Sequence, residues 1–139
     1  MHARSEEVTL ETGGDGDVID VTSYAQKAID NAGLTDGLCT VFVAHSTCGM
    51  TMIEHEPGCT ADLNELLERI APQHGHWEHN DRNADTNGHS HARAALIGPS
   101  VSVPFIRGEL QIGTWQKIVC IDFDDRPRSR KVLVQLLGV

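Results

Sequence analysis

Apolar and polar residues alternate with period two along Glu7-Val8-Thr9-Leu10-Glu11-Thr12, the pattern of a strand with one buried face. Gly13-Gly14-Asp15-Gly16-Asp17 breaks it as a turn, and Val18-Ile19-Asp20-Val21 reads as a second short strand. Ser23 and Gln26 have capping-box spacing and Gly33 supplies a stop, which predicts a helix from about Thr22 to Ala32. Leu38 to Ala44 is almost wholly apolar, as in a strand buried on both faces. It runs into His45-Ser46-Thr47-Cys48-Gly49, then a strand from Met50 to Glu54 that Pro57-Gly58 closes.

Between Thr60 and Ala71 the residues Leu63, Leu66, Leu67 and Ile70 form a helical stripe ended by Pro72. Residues 73–90 are rich in His, Asn, Asp and Gly without a period, and read as a long functional loop. A short helix from His91 to Ile97 comes next, ended by Gly98-Pro99. The remaining strands are Val101–Pro104, with Pro104 marking an edge or bulge, Leu110–Ile112 after a turn at Arg107-Gly108-Glu109, Ile118–Phe123 and Val132–Leu137. Strands outnumber helices without alternating with them, so the class is α+β, as one domain over residues 1–139.

Charge narrows the function. Twenty acidic and 11 basic side chains give a net charge of −9, which repels a phosphate backbone, and 4% aromatics do not make a base-stacking platform. Neither nucleic acid nor a membrane is expected as a partner, because no apolar run approaches the roughly 18 residues of a spanning helix. The first twenty residues lack a signal-peptide pattern, and Cys39, Cys48, Cys59 and Cys120 contain no C-x-x-C. Reduced thiols in a cytoplasm are the expectation.

Seven of the eight histidines fall between positions 45 and 91. His45 leaves a buried strand, where the scaffold fixes a side chain's direction; it reads either as a functional group or as a core histidine bonded to a carbonyl. In the polar stretch from His79 to His91, imidazoles and carboxylates are the ligand types of zinc and its neighbours. On a strand His89 and His91 would share a face, whereas on a helix they point about 200° apart and one of them is excluded. Three imidazoles from His45, His79 and His91 would make a site of the open, catalytic type. Glu54 and Asp62 are candidates to orient such ligands. Arg126-Pro127-Arg128-Ser129-Arg130-Lys131 is the one basic cluster; it is either a solvated turn or a phosphate clamp through Arg128 and Arg130. Cys48 beside His45 reads as a buried thiol or, less simply, a nucleophile.

His45-Ser46-Thr47-Cys48-Gly49-Met50-Thr51 and Gly113-Thr114-Trp115-Gln116, with Ser100-Val101-Ser102-Val103-Pro104 and Gly108 ahead of the latter, resemble the YjbQ family of small proteins. The resemblance implies an α+β fold with a β-sandwich-like core of mixed strands and two or three helices, a homotrimer, and a weak thiamine-phosphate-synthase activity beside an undefined main role. It also implies that His45, His79 and His91 line a metal or anion pocket; the expected cofactor is a divalent metal, zinc first, with manganese or magnesium as alternatives. Glu54 and Asp85 match recurring acidic positions of the family and Gln116 lies in its signature, and these three are the expected catalytic residues. The sequence departs from the family pattern at His55 and Asn80, leaving open a role for His55 or Asp81. The expected protein is a metal-dependent enzyme acting on a phosphorylated small molecule; the alternative is a non-catalytic metal or small-ligand binding protein.

Overall fold

A computed structural model describes residues 1–139 as eight strands and four helices. In chain order these are β1 (His2–Thr12), β2 (Asp17–Asp20), α1 (Thr22–Ala32), β3 (Gly37–Val43), β4 (Cys48–Ile53) and α2 (Pro57–Ile70). Then come α3 (Glu78–Asn83), α4 (Gly88–Ile97), β5 (Ser100–Ile106), β6 (Glu109–Leu110), β7 (Lys117–Asp122) and β8 (Arg128–Gly138). The α+β class stands. All six strand pairings are antiparallel, in one sheet ordered β1-β8-β3-β5-β6 and another ordered β2-β7-β4.

The period-two alternation decides the layers. In β8, Val132, Val134 and Leu136 are buried while Lys131 and Leu137 are exposed. They meet Cys39, Val41 and Val43 of β3, Val103 and Phe105 of β5 and Ala25, Ala28 and Ile29 of α1 in the main core. β7 is apolar on both faces for a reason. Ile118 and Cys120 enter that core, whereas Val119 and Ile121 join Phe123, Leu67 of α2 and Ala94 of α4 in a second one. The strand expected to be covered on both sides, Leu38–Ala44, is covered on one: Leu38 is 50% and Phe42 37% exposed.

The chain departs from its local pattern in three places. Pro57-Gly58 opens α2 instead of closing β4, because Glu56 caps the helix by accepting the N–H groups of Gly58 and Cys59, and proline suits a first turn whose N–H needs no partner. Residues 73–90 are not an irregular loop, since they contain α3 and the start of α4, raising the helix count to four. The Ser23/Gln26 capping box is not formed either. Asp20 Oδ1 accepts the Thr22 N–H at 2.9 Å, and the Gln26 amide reaches out to Gly108 O and Leu110 N. Pro104 sits near the sheet edge as expected. Its carbonyl accepts Gln111 N–H from the β6 side, so its nitrogen, lacking a proton, faces that short edge.

Candidate functional site

His45 lies just past the point where β3 leaves β8. Val43 pairs with Val132, Ala44 N–H donates to Lys131 O at 3.3 Å, and Lys131 N–H then donates to His45 Nε2 at 2.9 Å. The imidazole thus takes the next acceptor position of the ladder. Burial, and after it the Arg130 guanidinium, push the His45 pKa down against the opposing pull of Asp122. Across from it α4 presents His91, Ala94 and Ala95, spaced i, i+3, i+4 on one helical face. Together with Ser46, Cys48 and Pro99 they line an open pocket of about 290 Å³. Gly49 permits this approach: a Cβ there would lie 2.7 Å from Cγ2 of Ile97.

His79 reaches the same helix from α3. Its ring lies 4.5 Å, centroid to centroid, from that of His91, tilted 41°. Asn80 Oδ1 accepts the Gly88 N–H at 2.9 Å, so its amide orientation is fixed, and the same oxygen meets His79 Nδ1 at 3.2 Å. A carbonyl oxygen accepts only, so the His79 proton sits on Nδ1 and Nε2 carries the free lone pair. Gly88 lets the two helices close, since a Cβ would meet Trp77 Cβ at 2.6 Å. His91 therefore belongs both to the imidazole pair and to the pocket wall. The nitrogens of His45, His79 and His91 are not all within 4.8 Å of one another.

The other expected site residues lie apart from this pocket. Glu54 is exposed and lines a separate recess of about 350 Å³ with His55, Glu56, Thr114, Trp115 and Lys117. There Glu54, Glu56 and Cys59 bring one potential ligand atom each within 4.8 Å, but Glu56 is already engaged in capping α2 and lowered by those amide contacts. Gln116 Oε1 accepts the Gly113 N–H at 2.8 Å, closing its own turn. Asp85 accepts the N–H of Thr86 and faces Arg126 at 3.9 Å. Asp81 pairs with His76 at 2.7 Å.

The basic cluster divides. Arg130 is buried and clasps Asp122 through Nε–Oδ2 at 2.7 Å and Nη2–Oδ1 at 2.9 Å, and its Nη2 also donates to Thr47 Oγ1 at 2.6 Å. Its expected phosphate role is corrected on that ground: the guanidinium neutralises buried carboxylates and does not face solvent. Arg128 is 40% exposed and contacts Asp124 through Nε alone at 3.2 Å, which leaves its outer nitrogens free. Burial raises the Asp122 and Asp124 pKa values, and that effect is outweighed. Arg130 and Thr12 hold Asp122 low, and the Asp125 amide and Arg128 hold Asp124 at about 2.

Sequence reasoning weighed His89 only against His91 and passed over Asn87. His89 and Asn87 are both buried, Ser90 lies beside His89 Nε2 at 3.2 Å, and His89 Nδ1 and Asn87 Oδ1 have no partner. The helical alternative for His89 and His91 is the informative one, because α4 starts at Gly88 and sends the two rings to different sides. Cys48 is a buried free thiol: hydrogen bonding with the Cys120 thiol, then burial, then Asp122 push its pKa up, away from nucleophilic character.

The protein is thus a two-sheet α+β domain with His45 and His91 on the wall of a small open pocket. The chain belongs to the family described as UPF0047 protein YjbQ-like, whose profile matches residues 6–139. A UPF0047 protein of Archaeoglobus fulgidus is 37% identical over 131 residues, covering 94% of this chain and 99% of that one. One from Methanothermobacter thermautotrophicus is 34% identical over 138 residues, covering 99% and 94%. Among solved structures, a YbjQ-like protein of unknown function from Sulfolobus solfataricus superposes with a TM-score of 0.94 at 28% identity over 99% of both chains. An uncharacterized conserved protein of the family from Clostridium acetobutylicum gives 0.85 at 36% identity, covering 95% of this chain and 99% of that one. No helix is long and apolar enough to cross a membrane.

Proposed function

We propose that this chain is a metal-assisted enzyme acting on a phosphorylated small molecule in the pocket shared by His45 and His91. The observation that carries it is the double membership of His91, which places the His79–His91 pair at the edge of a pocket of small-molecule scale. His79 fits a ligand role, because Asn80 fixes its tautomer with Nε2 free, the arrangement that orients metal-bound imidazoles generally. His91 has no side-chain hydrogen bond to give up. Zinc suits an imidazole pair best, with manganese or magnesium as weaker candidates; a bound divalent ion would supply charge to a phosphate or diphosphate group. Arg130 is neutralised by Asp122, so the cations beside His45 that favour an anionic ligand are Lys131 and the partly exposed Arg128. The test is turnover of phosphorylated and diphosphorylated small molecules with and without zinc, beside binding titrations.

One observation favours the non-catalytic alternative, a metal or small-ligand binding protein. No carboxylate lines the pocket, since Glu54 and Asp85 stand elsewhere, so a general base must come from an imidazole or from the ligand. Binding without turnover in the same assays selects that reading. We further propose a homotrimer closing over the open face of the five-stranded sheet.

A further inference from the structure

We infer that His45 is a hydrogen-bond donor to the oxyanion of the bound ligand, held in that role by the Lys131 backbone amide, and is not a metal ligand. The inference rests on the anionic-ligand reading of the pocket and changes the task of one residue within it.

A ring nitrogen that accepts an N–H must carry a lone pair, and Lys131 N–H points at His45 Nε2 at 2.9 Å. Rotating the ring by 180° would put a carbon opposite that amide, so the geometry fixes the ring orientation as well. In the neutral imidazole the one proton then sits on Nδ1. Coordination through Nε2 would strip Lys131 of its partner at the end of the β3–β8 ladder, and coordination through Nδ1 would require a second deprotonation. A ring protonated at both nitrogens could not accept the Lys131 N–H, so the ring in this geometry is neutral. A neutral imidazole with a fixed N–H is a donor that polarises an oxygen without carrying charge. Among the pocket's lining residues, His45 and the exposed Ser46 hydroxyl are donors on the strand side, opposite His91 on α4. An anion bridging the two sides would therefore meet a metal-capable imidazole on one and N–H or O–H donors on the other.

The purely structural alternative is that His45 only completes the ladder, and two substitutions separate the roles. His45→Asn keeps an N–H near the position of Nδ1 and loses the acceptor for Lys131. His45→Gln keeps an acceptor near the position of Nε2 and loses the donor. With inorganic diphosphate and magnesium as the probe, the expected result is an affinity loss of about tenfold or more in His45→Gln, the scale of one hydrogen bond to a charged group. His45→Asn should bind within about threefold of the parent while being the less stable variant. Histidine ¹⁵N spectra of the intact protein add a direct reading. His45 should show the Nδ1–H tautomer, and titration with zinc alone should perturb His79 and His91 and leave His45 in place. An Nε2–H tautomer, zinc shifts at His45, or His45→Gln binding diphosphate like the parent would overturn the inference while leaving the ligand class intact. Parent protein that binds neither diphosphate nor zinc overturns the anionic-ligand reading and the inference with it.

Discussion

Arg130 and Asp122 face each other as a two-pronged ion pair inside the protein, Nε to Oδ2 at 2.7 Å and Nη2 to Oδ1 at 2.9 Å, with side chains 6% and 0% exposed. Thr12 and Thr47 add hydroxyls and Asp124 a second carboxylate. The pair ties the base of β8 to the end of β7, and Thr47 brings in the loop that carries His45. Removing one partner of a buried pair leaves an uncompensated charge, which costs about 3–5 kcal/mol. Arg130→Gln should therefore lower the urea midpoint strongly, and a double change of Arg130→Met with Asp122→Leu should recover much of the loss. A midpoint for Arg130→Gln within about 0.5 kcal/mol of the parent would show the pair to be dispensable.

Arg128 makes the complementary case. Its guanidinium is partly exposed with one carboxylate contact, and Arg130 and the Asp125 amide remain with Asp124 when it is lost, so Arg128→Gln should cost much less stability than Arg130→Gln. It should weaken phosphate or diphosphate affinity by isothermal titration if its free nitrogens face the ligand. Unchanged affinity returns Arg128 to the role of a solvated charge.

These two arginines also mark the boundary between what is legible in the sequence and what is not. Short-range periods located most elements, because alternation in β8 and the repeat in α2 are local consequences of burial. The layer that covers each strand is a long-range fact. Leu38-Cys39-Thr40-Val41-Phe42-Val43 and Ile118-Val119-Cys120-Ile121 look alike as strings, yet only the second has helices over its outer face. His91 was legible as a site residue from its neighbours and from the family likeness. The burial of Arg130 was not, because nothing in Arg-Ser-Arg distinguishes an inward arginine from an outward one until β8 is registered against β1 and β3. A hint lay in its even spacing with Val132, Val134 and Leu136, all on the inward face.

The pH dependence of stability should show two separate declines. His89 is pushed below its ordinary pKa by burial first and by Arg93 second, so the unfolded chain binds its proton more readily than the folded one. Stability should then fall as pH drops below the unfolded histidine value of about 6.5. Asp122 and Asp124 are held low, the latter at about 2. Their contribution is complete above the unfolded value of about 3.9 and disappears as pH falls through the folded values. Urea midpoints measured from pH 7 to pH 2 should resolve both, and His89→Asn should make the first shallower, leaving the share of His45, which is lowered in the same window. A flat profile between pH 6.5 and 5 in the parent would contradict the account of His89.

The open face of the five-stranded sheet sets the last expectation. Leu38 and Leu137 are register partners on β3 and β8, 50% and 49% exposed, and Phe42 and Ile106 extend the same surface at 37% and 50%. No helix of this chain covers that face. Apolar residues exposed on a sheet face mark an interaction surface, here on either side of a polar row of Ser102, Thr40, Gln135 and Ser5, and closed symmetry lets identical copies cover one another's faces. Sedimentation equilibrium at micromolar concentration should give three times the chain mass of 15.2 kDa. Because both leucines are half-exposed in the single chain, Leu38→Gln with Leu137→Gln should disturb the fold little while loosening the assembly toward monomer. A parent protein that sediments as a monomer ends the trimer proposal. A trimer that survives the double substitution moves the interface elsewhere, with the exposed Leu66 and Ile70 of α2 as the next surface to change.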